Sequence, residues 1–185
     1  MDLKEFKKKI KQKNRELYLT VNDPETNIDM KFSIYNKTTF WRANTLYTKE
    51  PTTIKWIRNF KSNSVFFDVG ANVGMFSVFA ASISKSRVYS FEPESNNFQV
   101  LMENILFNKL FNKISSYQIA LGNKTYFTKL FIDTFTKGSS HHMLGEPLDH
   151  NLEHKSYKIN QGVFSTTLDD LIDRWNFPVP KYLKI

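Results

Sequence analysis

Cysteine is absent from all 185 residues. That excludes a disulfide framework, a thiolate zinc site and a cysteine nucleophile. There is no run of 18 apolar residues, the length a membrane-crossing helix needs. The N-terminus lacks the apolar stretch of a secretory signal, so a cytoplasmic protein is the simplest expectation. Glycine and proline are scarce, six of each, and no repeat or low-complexity linker interrupts the chain. With 41% apolar residues, the length suits one domain with its own core. Acidic residues are outnumbered, 18 against 26 basic, for a net charge of +8. Much of that excess lies in Met1–Arg15, where Leu3, Phe6 and Ile10 fall on one helical face among lysines. A basic amphipathic helix over 1–15 is open to weak contact with an anionic membrane surface or RNA. So short an apolar stripe more readily packs on its own domain, and the charge makes no strong case for nucleic acid.

What is present is concentrated in Val65-Phe66-Phe67-Asp68-Val69-Gly70-Ala71-Asn72-Val73-Gly74-Met75-Phe76-Ser77. An apolar run meets an acidic residue, then two glycines four apart, then a helix-like pattern. This predicts a buried strand, a tight turn and a helix whose N-terminus faces the turn. Glycine serves where a ligand approaches the backbone or where φ is positive. The spacing is neither the dinucleotide fingerprint G-x-G-x-x-G nor a phosphate-cradling loop. A strand-end carboxylate beside such a turn suits a ligand with a cationic amino-acid end, and S-adenosylmethionine is one. Arg87–Phe91 reads as the next buried strand, closed by Glu92-Pro93. One βαβ step separates Asp68 from Glu92, and an acid at that second strand end accepts ribose hydroxyls in nucleotide-binding folds. Either acid alone is equally explained as a charge at the N-terminus of the following helix.

The remaining elements follow from pattern. Leu17–Val21 and Ile28–Tyr35 flank turn-formers and predict a hairpin with Ile28, Met30, Phe32 and Ile34 on one face. A loop carries Trp41 and Arg42, and a helix starts near Pro51, capped by Thr48 or Lys49, and runs to about Phe60. Then come strand 64–69, helix 73–84, strand 87–91, helix 95–108, strand 114–121 and a strand within 124–135. Residues 136–162 read as a mobile loop, 167–175 as a helix, and a last strand begins at Tyr182. The expected organisation is the basic helix at 1–15, hairpin and lead-in helix at 16–62, and an α/β ligand-binding domain at 63–185.

Phe67–Gly74, Phe91-Glu92-Pro93, Asn104–Asn108, Ala120-Leu121-Gly122 and Thr167-Leu168-Asp169-Asp170-Leu171 stand in the order of the FkbM-type methyltransferases. Trp41-Arg42, Thr45 and Lys49–Ile57 resemble that family's lead-in. The resemblance covers roughly residues 40 to 185. It implies an α/β, Rossmann-like class I methyltransferase sheet and S-adenosylmethionine as cofactor. The acceptor it implies is a small molecule or saccharide, methylated on a hydroxyl of a sugar, polysaccharide or other secondary metabolite. Gly70 and Gly74 would let the backbone approach the methionine part, Asp68 would reach its amino group directly or through water, and Asn72 would fix the turn or the carboxylate. Glu92 would take the ribose, and Ala120 and Leu121 would lie along the adenine with Asn104 or Asn108 at its edge. In the family an acidic D-x-[DE]-G motif follows directly on the segment matching Lys181–Ile185. The resemblance therefore implies a sheet that is C-terminally incomplete here, with no catalytic residue assignable.

Other readings compete. His141, His142, His150 and His154 with Asp149 and Glu153 can be drawn as a metal cluster, but a polar loop collects histidines, and no metal is expected. Asp170 reads as an early-helix charge behind a Thr166 or Thr167 cap, with Asp169 left open. Glu50 reads as helix N-terminal charge or as a ligand contact. The alternatives to this enzyme are an RNA methyltransferase, or a non-catalytic cofactor-binding or interaction module.

Overall fold

The structure is a computed structural model that describes residues 17–148, 151 and 153–185; the expected helix over 1–15 lies outside these residues. Strands β1 (Tyr18–Asn22) and β2 (Asp29–Ser33) form the expected antiparallel hairpin, with Met30 and Phe32 buried. Its turn is clamped by Asp23, a buried carboxylate bonded by Arg58 Nη2 at 2.6 Å and Tyr47 Oη at 2.9 Å. Helix α1 (Lys37–Asn44) corrects the expected loop around Trp41 and Arg42. Asn36 caps it through a reciprocal box, its side chain accepting from Thr39 N while Thr39 Oγ1 accepts from Asn36 N. Helix α2 (Pro51–Arg58) starts on proline as expected, but its N-cap is Glu50, not Thr48 or Lys49.

The central run is β3 (Val65–Val69), α3 (Met75–Ser82), β4 (Arg87–Phe91), α4 (Ser95–Phe107) and β5 (Ile114–Tyr117). These strands are parallel, and β3 is buried on both faces. Phe66 joins Val88, Ile114 and the α3 and α4 residues Val78, Phe79, Val100 and Leu101 on one side. Phe67 faces the other way, into Phe91, Tyr89, Tyr117 and Phe177. Such two-sided burial is why these strands read as continuous apolar runs.

The expected strand 114–121 breaks after Tyr117. Its second part, β6 (Ala120–Leu121), leaves the parallel sheet and pairs with residues 165–166. The second sheet has the order β6-β9-β7-β8 and comprises β7 (Tyr126–Ile132), β8 (Met143–Leu144) and β9 (Ile159–Thr166). The loop expected over 136–162 therefore contains β8 and the start of β9. Helix α5 (Leu168–Asp173) follows its Thr167 cap, whose Oγ1 accepts from Asp170 N. Strand β10 (Tyr182–Lys184) then pairs parallel with β3. The resulting order β10-β3-β4-β5 makes β3 the place where the winding reverses. In open parallel sheets, ligands sit outside the carboxyl ends of the strands at such a switch point. No helix among the described residues is long and apolar enough to cross a membrane.

Candidate active site

A cavity of about 210 Å³ lies at that switch point. Gly70 and Asn72 from the turn after β3 form its floor, Lys184 of β10 one side, and Arg42, Lys49 and Glu50 of the α1–α2 region the wall above. The turn is held open by backbone geometry. Gly70 has φ +67, and a Cβ there would meet no atom within 4 Å, so its bare backbone borders open space. This is the surface a ligand approaches.

Asn72 shares that turn with φ +51. Its Oδ1 accepts from Val73 N at 2.9 Å, and its Nδ2 donates to Ser139 O at 2.6 Å. Of the two tasks expected of it, the structure gives it the fixing of the turn. Gly74, with φ +80, is a correction. A Cβ there would fall 2.3 Å from Leu101 Cδ1, so this glycine lets α4 pack against the turn and caps α3, and it does not line the cavity.

Asp68 is fully buried and does not line the cavity either. Its Oδ2 accepts from Ser77 Oγ at 2.6 Å, and Lys184 Nζ stands 4.0 Å from Oδ1. Oδ1 has no hydrogen-bond partner. Burial pushes the Asp68 carboxyl above its ordinary range, against the opposing pull of Lys184 and Ser77. A direct reach from Asp68 to a ligand's amino group is thereby corrected: the carboxylate sits behind the wall.

Glu92, 4% exposed, ties the turn to the start of α4. Its Oε2 accepts from Asn72 N at 2.7 Å and its Oε1 from Glu94 N at 2.9 Å. Burial raises its pKa to about 7, with the two backbone N–H groups working against that rise. Its present bonds organise the glycine turn, and like Asp68 it does not line the cavity.

Asn104, expected at the adenine edge, is engaged within the fold. It is buried, its Oδ1 accepts from Ser33 N at 2.7 Å, and its Nδ2 donates to Val73 O at 2.7 Å. It staples the hairpin to the turn. Asn108 does the same at Lys31, donating to its carbonyl and accepting from its N–H. Ala120 is closed into the second core with Leu130, Ile132 and Val163, and Leu121 packs beside Phe67 and Phe91. Neither borders the cavity, because the chain leaves the parallel sheet before reaching them.

Sequence reasoning missed a strap at Lys137–Ser140, inside the segment read as loop. Gly138 N donates to Asn97 Oδ1 at 2.7 Å, Asn97 Nδ2 to Ser139 O at 3.0 Å, and Arg42 Nε to Gly138 O at 2.7 Å. Asn36 Nδ2 holds Lys137 O, and Lys137 Nζ lies 3.6 Å from the Tyr35 ring centroid. His142 braces the strap with Nδ1 accepting from Asp133 N and Nε2 beside Ser139 Oγ. Gly138-Ser139-Ser140 in a polar stretch was the visible signal. Asp170 is structural as expected, paired with Arg174 at 2.8 Å and bonded by Thr125 Oγ1.

A parallel α/β sheet with a glycine turn and a cavity at its switch point defines a Rossmann-like ligand-binding domain. The FkbM methyltransferase domain model matches residues 68–185, well over half of the chain, and the chain belongs to that family of methyltransferases. Among curated proteins, none matches. Solved structures that resemble it include a putative transferase from Pyrococcus horikoshii (18% identity, 57% of this chain and 37% of that one, TM-score 0.39). Another is M. jannaschii TYW2 in complex with AdoMet (20% identity, 56% and 43%, TM-score 0.37). A third is an SAM-dependent methyltransferase from Agrobacterium tumefaciens (12% identity, 57% and 34%, TM-score 0.40). The chain spans less than half the length of each.

Proposed function

We propose that this chain forms the cofactor-binding part of an S-adenosylmethionine-dependent methyltransferase. Its acceptor is a hydroxyl of a sugar, polysaccharide or other secondary metabolite, and it works in the cytoplasm. The observation that carries this reading is the cavity at the β3–β10 switch point, bordered by the bare backbone of Gly70, in a chain of the FkbM family. The residues present fit the cofactor. Gly70 leaves room for a close approach, and Arg42, Lys49, Glu50 and Lys184 place charged groups of both signs around it.

When bound, S-adenosylmethionine supplies a methyl group on a sulfonium, open to in-line attack by an acceptor oxygen. The chain contributes position. Asn72 and Glu92 hold the turn in place beside the cavity that the α1–α2 region also lines, so that two reactants meet in a fixed geometry. The test is methyl transfer from methyl-labelled S-adenosylmethionine to a panel of saccharide and polyketide hydroxyls, with RNA as comparison. Label on a hydroxyl acceptor supports the reading; label on RNA alone overturns it.

A further inference from the structure

The cavity is small. Ligand sites for drug-sized molecules span roughly 300–1,000 Å³, so about 210 Å³ accommodates one end of a nucleoside-bearing ligand. Its wall carries both signs of charge. Arg42 bonds only through Nε, to Gly138 O; its two terminal nitrogens have no hydrogen bond to a described residue and are not sealed in the interior. A guanidinium with a free planar fork is the side chain best matched to a carboxylate. Glu50 is held loosely, with Thr53 Oγ1 at 3.3 Å and Lys49 Nζ at 3.6 Å, and it makes no capping bond to α2. Burial works against the charge on Arg42, and Glu92 and then Glu50 support it. The wall's other cations are Lys49, which stands over the Trp41 ring, and Lys184, which faces Asp68 and the Phe76 ring.

We infer that Arg42 and Glu50 form a recognition pair for an α-amino-acid zwitterion, the guanidinium taking its carboxylate and Glu50 its ammonium. This inference rests on the proposed function, in which the zwitterion is the methionine end of the cofactor. It transfers ammonium recognition from Asp68, which is sealed behind the wall, to a carboxylate that borders the cavity. It also explains why α1, a polar helix with little apolar surface, is tied down by its Asn36 cap and by the strap at Gly138. Both fastenings fix the guanidinium over the glycine turn.

Titration calorimetry on the full chain tests the pair with two ligands that differ in this end alone. S-adenosylhomocysteine carries the zwitterion, whereas 5′-methylthioadenosine lacks it. Arg42→Gln and Glu50→Gln are each expected to weaken S-adenosylhomocysteine at least tenfold and leave 5′-methylthioadenosine within twofold of wild type. Unchanged S-adenosylhomocysteine affinity in both variants overturns the inference while the cofactor assignment stands. Equal losses for both ligands also overturn it, because they assign Arg42 to strap anchoring and Glu50 to the fold. A wild-type chain that binds neither ligand removes the proposed function and this inference with it.

Discussion

Replacing Asn104 by alanine separates a structural role from a ligand role more sharply than any other single change. The side chain is 1% exposed and bonds Ser33 N and Val73 O, both at 2.7 Å. Truncation strands a buried donor on β2 and a buried acceptor in the glycine turn. Each such group costs about 1–3 kcal/mol, so the loss is about 2–6 kcal/mol from a total that is ordinarily about 5–15. For a chain of this size, each kcal/mol lowers Tm by about 2–4 °C. Urea unfolding followed by circular dichroism should therefore show a midpoint well below wild type. S-adenosylhomocysteine affinity, measured at a temperature where the variant stays folded, should fall little. A stability loss under about 1 kcal/mol together with a tenfold loss of affinity would refute the stapling argument and restore Asn104 to the adenine edge.

Other consequences follow from the same geometry. Gly74→Ala should destabilise by about 1–3 kcal/mol, combining positive φ with a clash at Leu101, whereas Gly70→Ala should cost less stability and more ligand affinity; chemical unfolding and calorimetry on both variants check the contrast. Glu92, with its pKa raised by burial to about 7, binds a proton in the folded state that the unfolded chain releases near 4.5. Unfolding free energy should therefore fall as pH rises from about 4.5 to about 7, by up to ~3 kcal/mol, and a pH series on Glu92→Gln should lose that slope. Asn97→Ala should speed hydrogen exchange at the Gly138 amide, whose acceptor it removes; unchanged exchange would contradict the strap. Burial lowers the His142 pKa, so its bracing is complete above the ordinary histidine value, near 6.5, and is lost as pH falls through the lowered one. Protection of the Gly138 and Ser139 amides, relative to the intrinsic exchange rate at each pH, should fall over that descent.

The central α/β run was legible because its signals are local. Val65–Val69 and Arg87–Phe91 are apolar runs bounded by turn residues, and the glycines between them announce the turn. Helix α1 was missed because Lys37–Asn44 shows no apolar stripe; its start is written instead in the Asn36–Thr39 box. The break after Tyr117 left no mark, since Ile119–Leu121 continues the apolar pattern while changing partners from β4 to β9. The packing roles of Asn104 and Gly74 were hidden for a related reason. Their partners, Ser33 and Leu101, are distant in sequence, and a buried amide or a bare Cα reads the same whether it faces a ligand or another element. Arg42 and Glu50 were visible as lead-in residues, but only the folding of α1 and α2 over Gly70 brings them to the cavity.

The most direct test of the account is calorimetric titration of S-adenosylhomocysteine into the full chain and into Gly70→Val, with circular dichroism confirming that both are folded. A valine at Gly70 fills the open space beside the backbone that the ligand is argued to approach. The account predicts saturable one-to-one binding to the wild-type chain and none to the folded variant. Equal affinity in the two, or wild-type preference for a nicotinamide dinucleotide over S-adenosylhomocysteine, would contradict it.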